Sequence, residues 1–142
     1  MKSSTMRLMI AAAAPAVAAG SAFAQTYKAE IPVTFRANGT LMLPGSYEVN
    51  VSRGFSGITL VTVNNLDEHK RIFVKPTPGN DAPKAWKTAG KPVIGFECVE
   101  GRCVLRSLWN GSDVATYRFP GSITPRSDSR ASLMVVKLTE VE

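Results

Sequence analysis

Two cysteines are the sharpest chemical signal in the chain. Cys98 and Cys103 stand within Val93–Val99 and Arg102–Trp109, two apolar runs separated only by Glu100-Gly101. A two-residue connection with Gly second fits a type I′ hairpin turn. In that register Val99 faces Arg102, and Cys98 faces Cys103 at the next, non-hydrogen-bonded position. There the Cα atoms lie about 4.5 Å apart and both side chains share one face. That separation is within reach of a disulfide. A redox enzyme more often carries Cys-x-x-Cys at a helix start, where the dipole lowers a thiol pKa, so the pair is expected to be a structural staple.

Other reactive residue types are sparse. His69 is the sole imidazole and sits among Asp67, Glu68, Lys70 and Arg71. It has no second His for zinc, and no Gly-x-Ser-x-Gly elbow accompanies it, so a solvated turn is expected. Carboxylates are few, four Asp and seven Glu. Glu97 falls on the hairpin face opposite Cys98, diagonal to Arg106 and near Arg102, which reads as a cross-strand ion pair. A glycosidase pair such as Glu97 with Glu48 needs a spatial separation that sequence does not provide. No catalytic set, metal site or cofactor is therefore expected.

The best binding candidate is Lys84-Ala85-Trp86-Lys87-Thr88-Ala89-Gly90-Lys91. Trp86 offers a flat apolar face, and Lys84, Lys87 and Lys91 offer donors to an envelope glycan or an acidic protein. The alternative is that Trp86 packs back on the domain while the lysines stay solvated. This segment lies in Pro76–Pro92, which holds four prolines and no periodicity. Connections of that length tend to be functional or disordered. Trp109-Asn110-Gly111 is a second candidate, although Trp109 is expected to share the core face of Cys103 and Leu105.

These residues need a scaffold, and the chain announces one after a leader. Lys2 and Arg7 precede an apolar run from Leu8 to Ala19, and Ala22-Phe23-Ala24 has the small-x-small form of a signal-peptidase site. The run is too short to span a bilayer. Residues 1–24 are thus expected to be a cleaved signal peptide and 25–142 a periplasmic or extracellular domain. Removing 24 of 142 residues leaves 118, and because the leader holds two of the 17 basic residues and no acidic one, the net charge falls from +6 to +4. That modest charge and the export route argue against a nucleic-acid partner.

The remainder alternates with period two. Ile31, Val33 and Phe35, then Tyr47, Val49 and Val51, then Ile72 and Val74 mark apolar strand faces. Ile58 to Val63 reads as a central strand, and Leu133 to Leu138 as the last one. Asn38-Gly39 and Pro44-Gly45 mark tight turns. Pro32 places its strand at an edge or at a strand start. Seven or eight strands at this spacing predict an all-β, single-domain antiparallel sandwich or small barrel. Exposed edges leave monomer and weak dimer both open.

Phe35-Arg36-Ala37-Asn38-Gly39-Thr40-Leu41 followed by Pro44-Gly45-Ser46-Tyr47-Glu48-Val49 resembles a group of small secreted bacterial β-proteins of unassigned function, whose pattern is a Phe strand, a turn, then Leu-Pro-x-Gly-x-Tyr-x-Val. The hairpin from Ile94 to Trp109 and the polar stretch from Pro125 to Arg130 extend the likeness. This chain has Pro-Gly-x-Tyr, one residue shorter, and an added Met42-Leu43, so the register of the first hairpin stays open. The resemblance implies export and a sandwich or barrel, and it carries no catalytic residue.

The expected role is an exported, non-enzymatic protein that binds an envelope component or a ligand. The alternatives are an enzyme inhibitor acting through the 76–92 loop or the 98–103 hairpin tip, and a small carboxylate-dependent hydrolase.

Overall fold

The computed structural model describes residues 23–54, 56–113, 115–121 and 130–141. The apolar run of the leader and most of the polar stretch before the last strand lie outside the described residues. The fold is an all-β sandwich of two sheets, not a closed barrel. One sheet, here sheet A, has the order β12 (Thr139–Val141), β1 (Phe23–Ile31), β4 (Gly45–Arg53), β5 (Thr59–Asn65), β6 (Lys70–Val74), with every pairing antiparallel. Sheet B has the order β11 (Ser132–Lys137), β8 (Val93–Val99), β9 (Arg102–Trp109), β10 (Ala115–Arg118), β7 (Thr77–Asp81). The hairpin of β2 (Phe35–Ala37) and β3 (Thr40–Met42) joins sheet B through a parallel pairing of β2 with β9.

Period-two alternation builds the core as expected. Tyr47, Val49 and Val51 on β4, Val61 and Val63 on β5, and Ile72 and Val74 on β6 all point inward and are buried. Side chains of successive strand residues alternate between faces, so one face of sheet A is dry and the other polar. Phe35 ties the layers together: its ring lies 4.9 Å from Phe96 in its own sheet and 5.4 Å from Tyr47 in sheet A, centroid to centroid.

The Asn38-Gly39 turn joins Ala37 to Thr40 with both central residues at positive φ, as a type I′ turn requires. The Glu100-Gly101 turn has the same form, and Val99↔Arg102, Cys98↔Cys103 and Phe96↔Leu105 pair as expected.

Several expectations change. The described residues contain twelve strands rather than seven or eight, because short pieces three to five residues long complete the sheet edges. Ile31 to Arg36 is not one strand. The chain leaves sheet A after Ile31, passes Pro32, and enters sheet B at Phe35. Pro32 has no N–H for a ladder, so the break falls where a strand is cheapest to end. Ile58 lies outside the central strand β5 and is 54% exposed. The 76–92 segment is not an irregular loop. It forms β7, paired with β10, and a short helix, α1 (Lys84–Ala89). Pro83 begins the helix, and Gly90 ends it at φ 67, its N–H donating to the Trp86 carbonyl at 2.9 Å.

Candidate functional site

The outward face of sheet B carries the candidate site, and a β-bulge shapes it. Gly95 pairs with Ser107 but Phe96 pairs with Leu105, so Arg106 is an extra residue on β9. An inserted residue shifts the inside-outside parity of everything beyond it. Cys103, Leu105 and Leu108 therefore all face the core, and Trp109 faces out. This corrects the expectation that Trp109 shares the face of Cys103. Trp109 is nonetheless buried, in a small second cluster with Val93 and Ala82, and its indole Nε1 donates to the Asp113 carbonyl at 2.7 Å.

Trp86 packs against that cluster from α1. It lies over Gly95, where an added Cβ would come 3.7 Å from Trp86 Cη2 and 2.7 Å from Ser107 Oγ. The missing side chain at Gly95 is what lets the indole and Ser107 share the surface of the sheet. Beside Trp86 runs a groove of about 270 Å³. Its apolar wall is Trp86, Pro83 and Leu133. Its floor is Glu97, Arg106 and Ser107 from β8 and β9, and its far wall is Asn80, Asp81, Thr116 and Arg118 from β7 and β10.

Arg106 is the fixed point of that floor. Its Nη2 donates to Glu97 Oε1 at 2.8 Å, and its Nη1 donates to the carbonyls of Phe119 and Gly121. The expected Glu97–Arg106 pair is present, held at the bulge. A guanidinium with several acceptors is locked in orientation, and charge-assisted bonds of this kind are stronger than neutral ones.

Among the candidate binding residues, the groove gathers Trp86 and not the lysines. Lys84, Lys87 and Lys91 are exposed and lie outside its lining. Cys98 and Cys103 form a disulfide with Cα atoms 4.1 Å apart, on the inward face and away from the groove. His69 is exposed, at φ 55, in the turn between β5 and β6. Glu48 stands on sheet A and Glu97 on sheet B, so they do not form a pair. The groove does bring Asp81 and Glu97 to one lining. Among the described residues no three His, Cys, Asp or Glu side chains cluster as metal ligands, and no helix is long and apolar enough to cross a membrane.

Sequence reasoning missed Asn80, Asp81, Thr116, Arg118 and Leu133 as groove residues. Nothing local marks them, because they meet only through the pairing of β7 with β10 and of β11 with β8. The bracket of Pro83 and Gly90 around six intervening residues was the available signal for α1. No family model, no curated protein and no solved structure matches the chain.

Proposed function

We propose that the protein is an exported, non-enzymatic binding protein whose Trp86 groove holds an uncharged stretch of an envelope glycan. The observation that carries this reading is the two-sided groove: an indole and Leu133 on one wall, and hydrogen-bonding groups on the floor and the other. A sugar ring has matching sides, a C–H face for the indole and hydroxyls for the amide, carboxylate and guanidinium groups. Ligand sites commonly combine such apolar walls with a few placed polar groups. Among the described lining residues two cations, Arg106 and Arg118, stand against two anions, Asp81 and Glu97, a balance that favours a ligand without net charge. Export is supported by the leader pattern and by the Cys98–Cys103 disulfide, which is characteristic of oxidising compartments.

Binding is favoured over hydrolysis because Glu97 is committed to Arg106, leaving Asp81 as the one carboxylate outside that pair among the described lining residues. Acid–base cleavage of a glycosidic bond needs two carboxyl groups with separate duties. Calorimetry with soluble fragments of envelope polysaccharide tests the reading. Trp86→Ala is expected to weaken binding at least tenfold, and a triple Lys84→Ala, Lys87→Ala, Lys91→Ala variant to bind as the parent does. Equal binding by the Trp86→Ala variant overturns the assignment. Release of reducing ends that Asp81→Asn or Glu97→Gln abolishes replaces binding with hydrolysis. Stoichiometric capture of one envelope enzyme, with no glycan bound, replaces it with inhibition.

A further inference from the structure

A second concavity lies at an open end of the sandwich, and its chemistry differs from that of the groove. It has a volume of about 440 Å³, within the size range of small-molecule sites. One side comes from the end of β4, the following turn and the start of β5. The other comes from the β6–β7 connection and from β10. Its walls are Ile58, Pro76, Pro78, Ala115 and Tyr117. Tyr117 also packs against the main core, which holds that wall of the cup in place. Ile58 is among the most exposed large apolar residues described, and apolar surface held open at a concavity marks a binding site more often than scattered exposure does.

The cup also carries charge. Lys75 and Arg53 line it, and among the described lining residues Asp113 is the carboxylate. No ion pair of Lys75 is present among the described residues. An apolar cup with a cationic rim complements a molecule with a hydrocarbon body and one anionic end.

We propose that this cup binds a fatty acid, with the hydrocarbon chain against Ile58, Pro76 and Tyr117 and the carboxylate at the Lys75 ammonium. The site shares Thr116 with the Trp86 groove but none of the groove's apolar wall. Its occupancy is therefore independent of the glycan reading.

Titration calorimetry and backbone amide chemical shifts with dodecanoate, below its micelle concentration, test the proposal, with 1-dodecanol as the uncharged control. Saturable one-site binding of dodecanoate is expected, with shifts centred on Ile58, Thr59 and Tyr117 and with dodecanol at least tenfold weaker. Lys75→Glu is expected to weaken dodecanoate at least tenfold, and Ile58→Asp to do the same. Both positions are exposed, and circular dichroism confirms that each variant is folded. Trp86→Ala is expected to leave dodecanoate binding unchanged. Equal affinity for acid and alcohol, shifts centred on Trp86, or no saturable binding overturns the proposal. Failure of the glycan assay alone leaves it standing.

Discussion

Single residues in this fold are constrained most tightly where the chain changes sheets. Gly45 opens β4 just after the chain returns from sheet B, at φ +154, and a Cβ there would sit 2.5 Å from Asp67 Oδ2. That carboxylate is not free to retreat, because Oδ2 accepts the Ser46 N–H at 3.0 Å. Beneath it Asn65, the one buried polar side chain of the described core, donates to the Leu43 carbonyl and the Tyr47 hydroxyl and accepts from the Asp67 and Glu68 N–H groups. Every polar group of the Asn65 side chain is thus engaged, as a buried amide must be to avoid a desolvation penalty. Gly45→Ala adds backbone strain and a clash at this joint, so a loss of about 1–3 kcal/mol is expected from the urea midpoint. Gly54→Ala is the control. No atom approaches within 4 Å of its Cβ position and its φ is not in the strained range, so its midpoint is expected to shift by less than about 0.5 kcal/mol. Equal losses at the two positions would show that glycine flexibility, and not the Asp67 contact, sets the cost.

At the scale of elements, the β8–β9 hairpin organises sheet B. Its turn, its register near the turn and its cysteine pairing were legible because each depends on residues within a dozen positions. Val99↔Arg102 and Cys98↔Cys103 follow from Glu100-Gly101 alone. The register beyond Phe96 was not legible, because the bulge at Arg106 is stabilised by partners far along the chain: Glu97 across the ladder, and the Phe119 and Gly121 carbonyls from the segment after β10. That one residue decides which face Trp109 takes. β7 was hidden for a different reason. Thr77-Pro78-Gly79-Asn80-Asp81 is composed largely of residues depleted from strands, and it is tolerated because it is an edge strand paired only with β10. Gly79 permits the close approach, since a Cβ there would lie 2.5 Å from Thr116 Oγ1. The disulfide joins β8 to β9 beside the point where Cys103 pairs with Phe35 of β2. The loop it closes is short, so replacing both cysteines by Ala is expected to cost about 2 kcal/mol, near the low end for a disulfide. Hydrogen exchange adds the location: amides of β2 are expected to lose protection along with those of the hairpin. Loss confined to the turn would mean that the staple acts only on its own hairpin.

At the scale of the whole molecule, the two layers form one unit because the chain passes between them repeatedly: after Ile31, after Met42, between Val74 and Thr77, and at Leu138. Side chains add further links, with Asn38 Nδ2 donating to the Phe73 carbonyl and Lys70 Nζ to the Leu41 carbonyl, which pin the β2–β3 hairpin beside the β6 edge. Tyr27 lies at the heart of this assembly. It is fully buried on β1, opposite Glu140 of β12, and its hydroxyl donates to Gln25 Oε1 at 2.8 Å. Burial, helped by the negative charge of Glu140 and by Tyr117 and Asp113, pushes the Tyr27 phenol up to about 12 from an ordinary 10. Burial also raises Tyr47, against a partial offset from the Asn65 amide. In the unfolded chain both phenols titrate near the ordinary value, whereas the folded chain keeps its protons to higher pH. The folded state therefore binds more protons above pH 10, and stability must fall as pH rises in that range. For Tyr27 the contribution is complete below about pH 10 and is lost progressively toward about pH 12. Urea midpoints measured from pH 8 to 11.5 are expected to be level at first and then to decline. Tyr27→Phe, which removes the titrating group and the Gln25 bond, is expected to be less stable at pH 8 but to decline less steeply above pH 10. An unchanged slope in that variant would place the alkaline sensitivity at another group, with Tyr47→Phe the next substitution to measure.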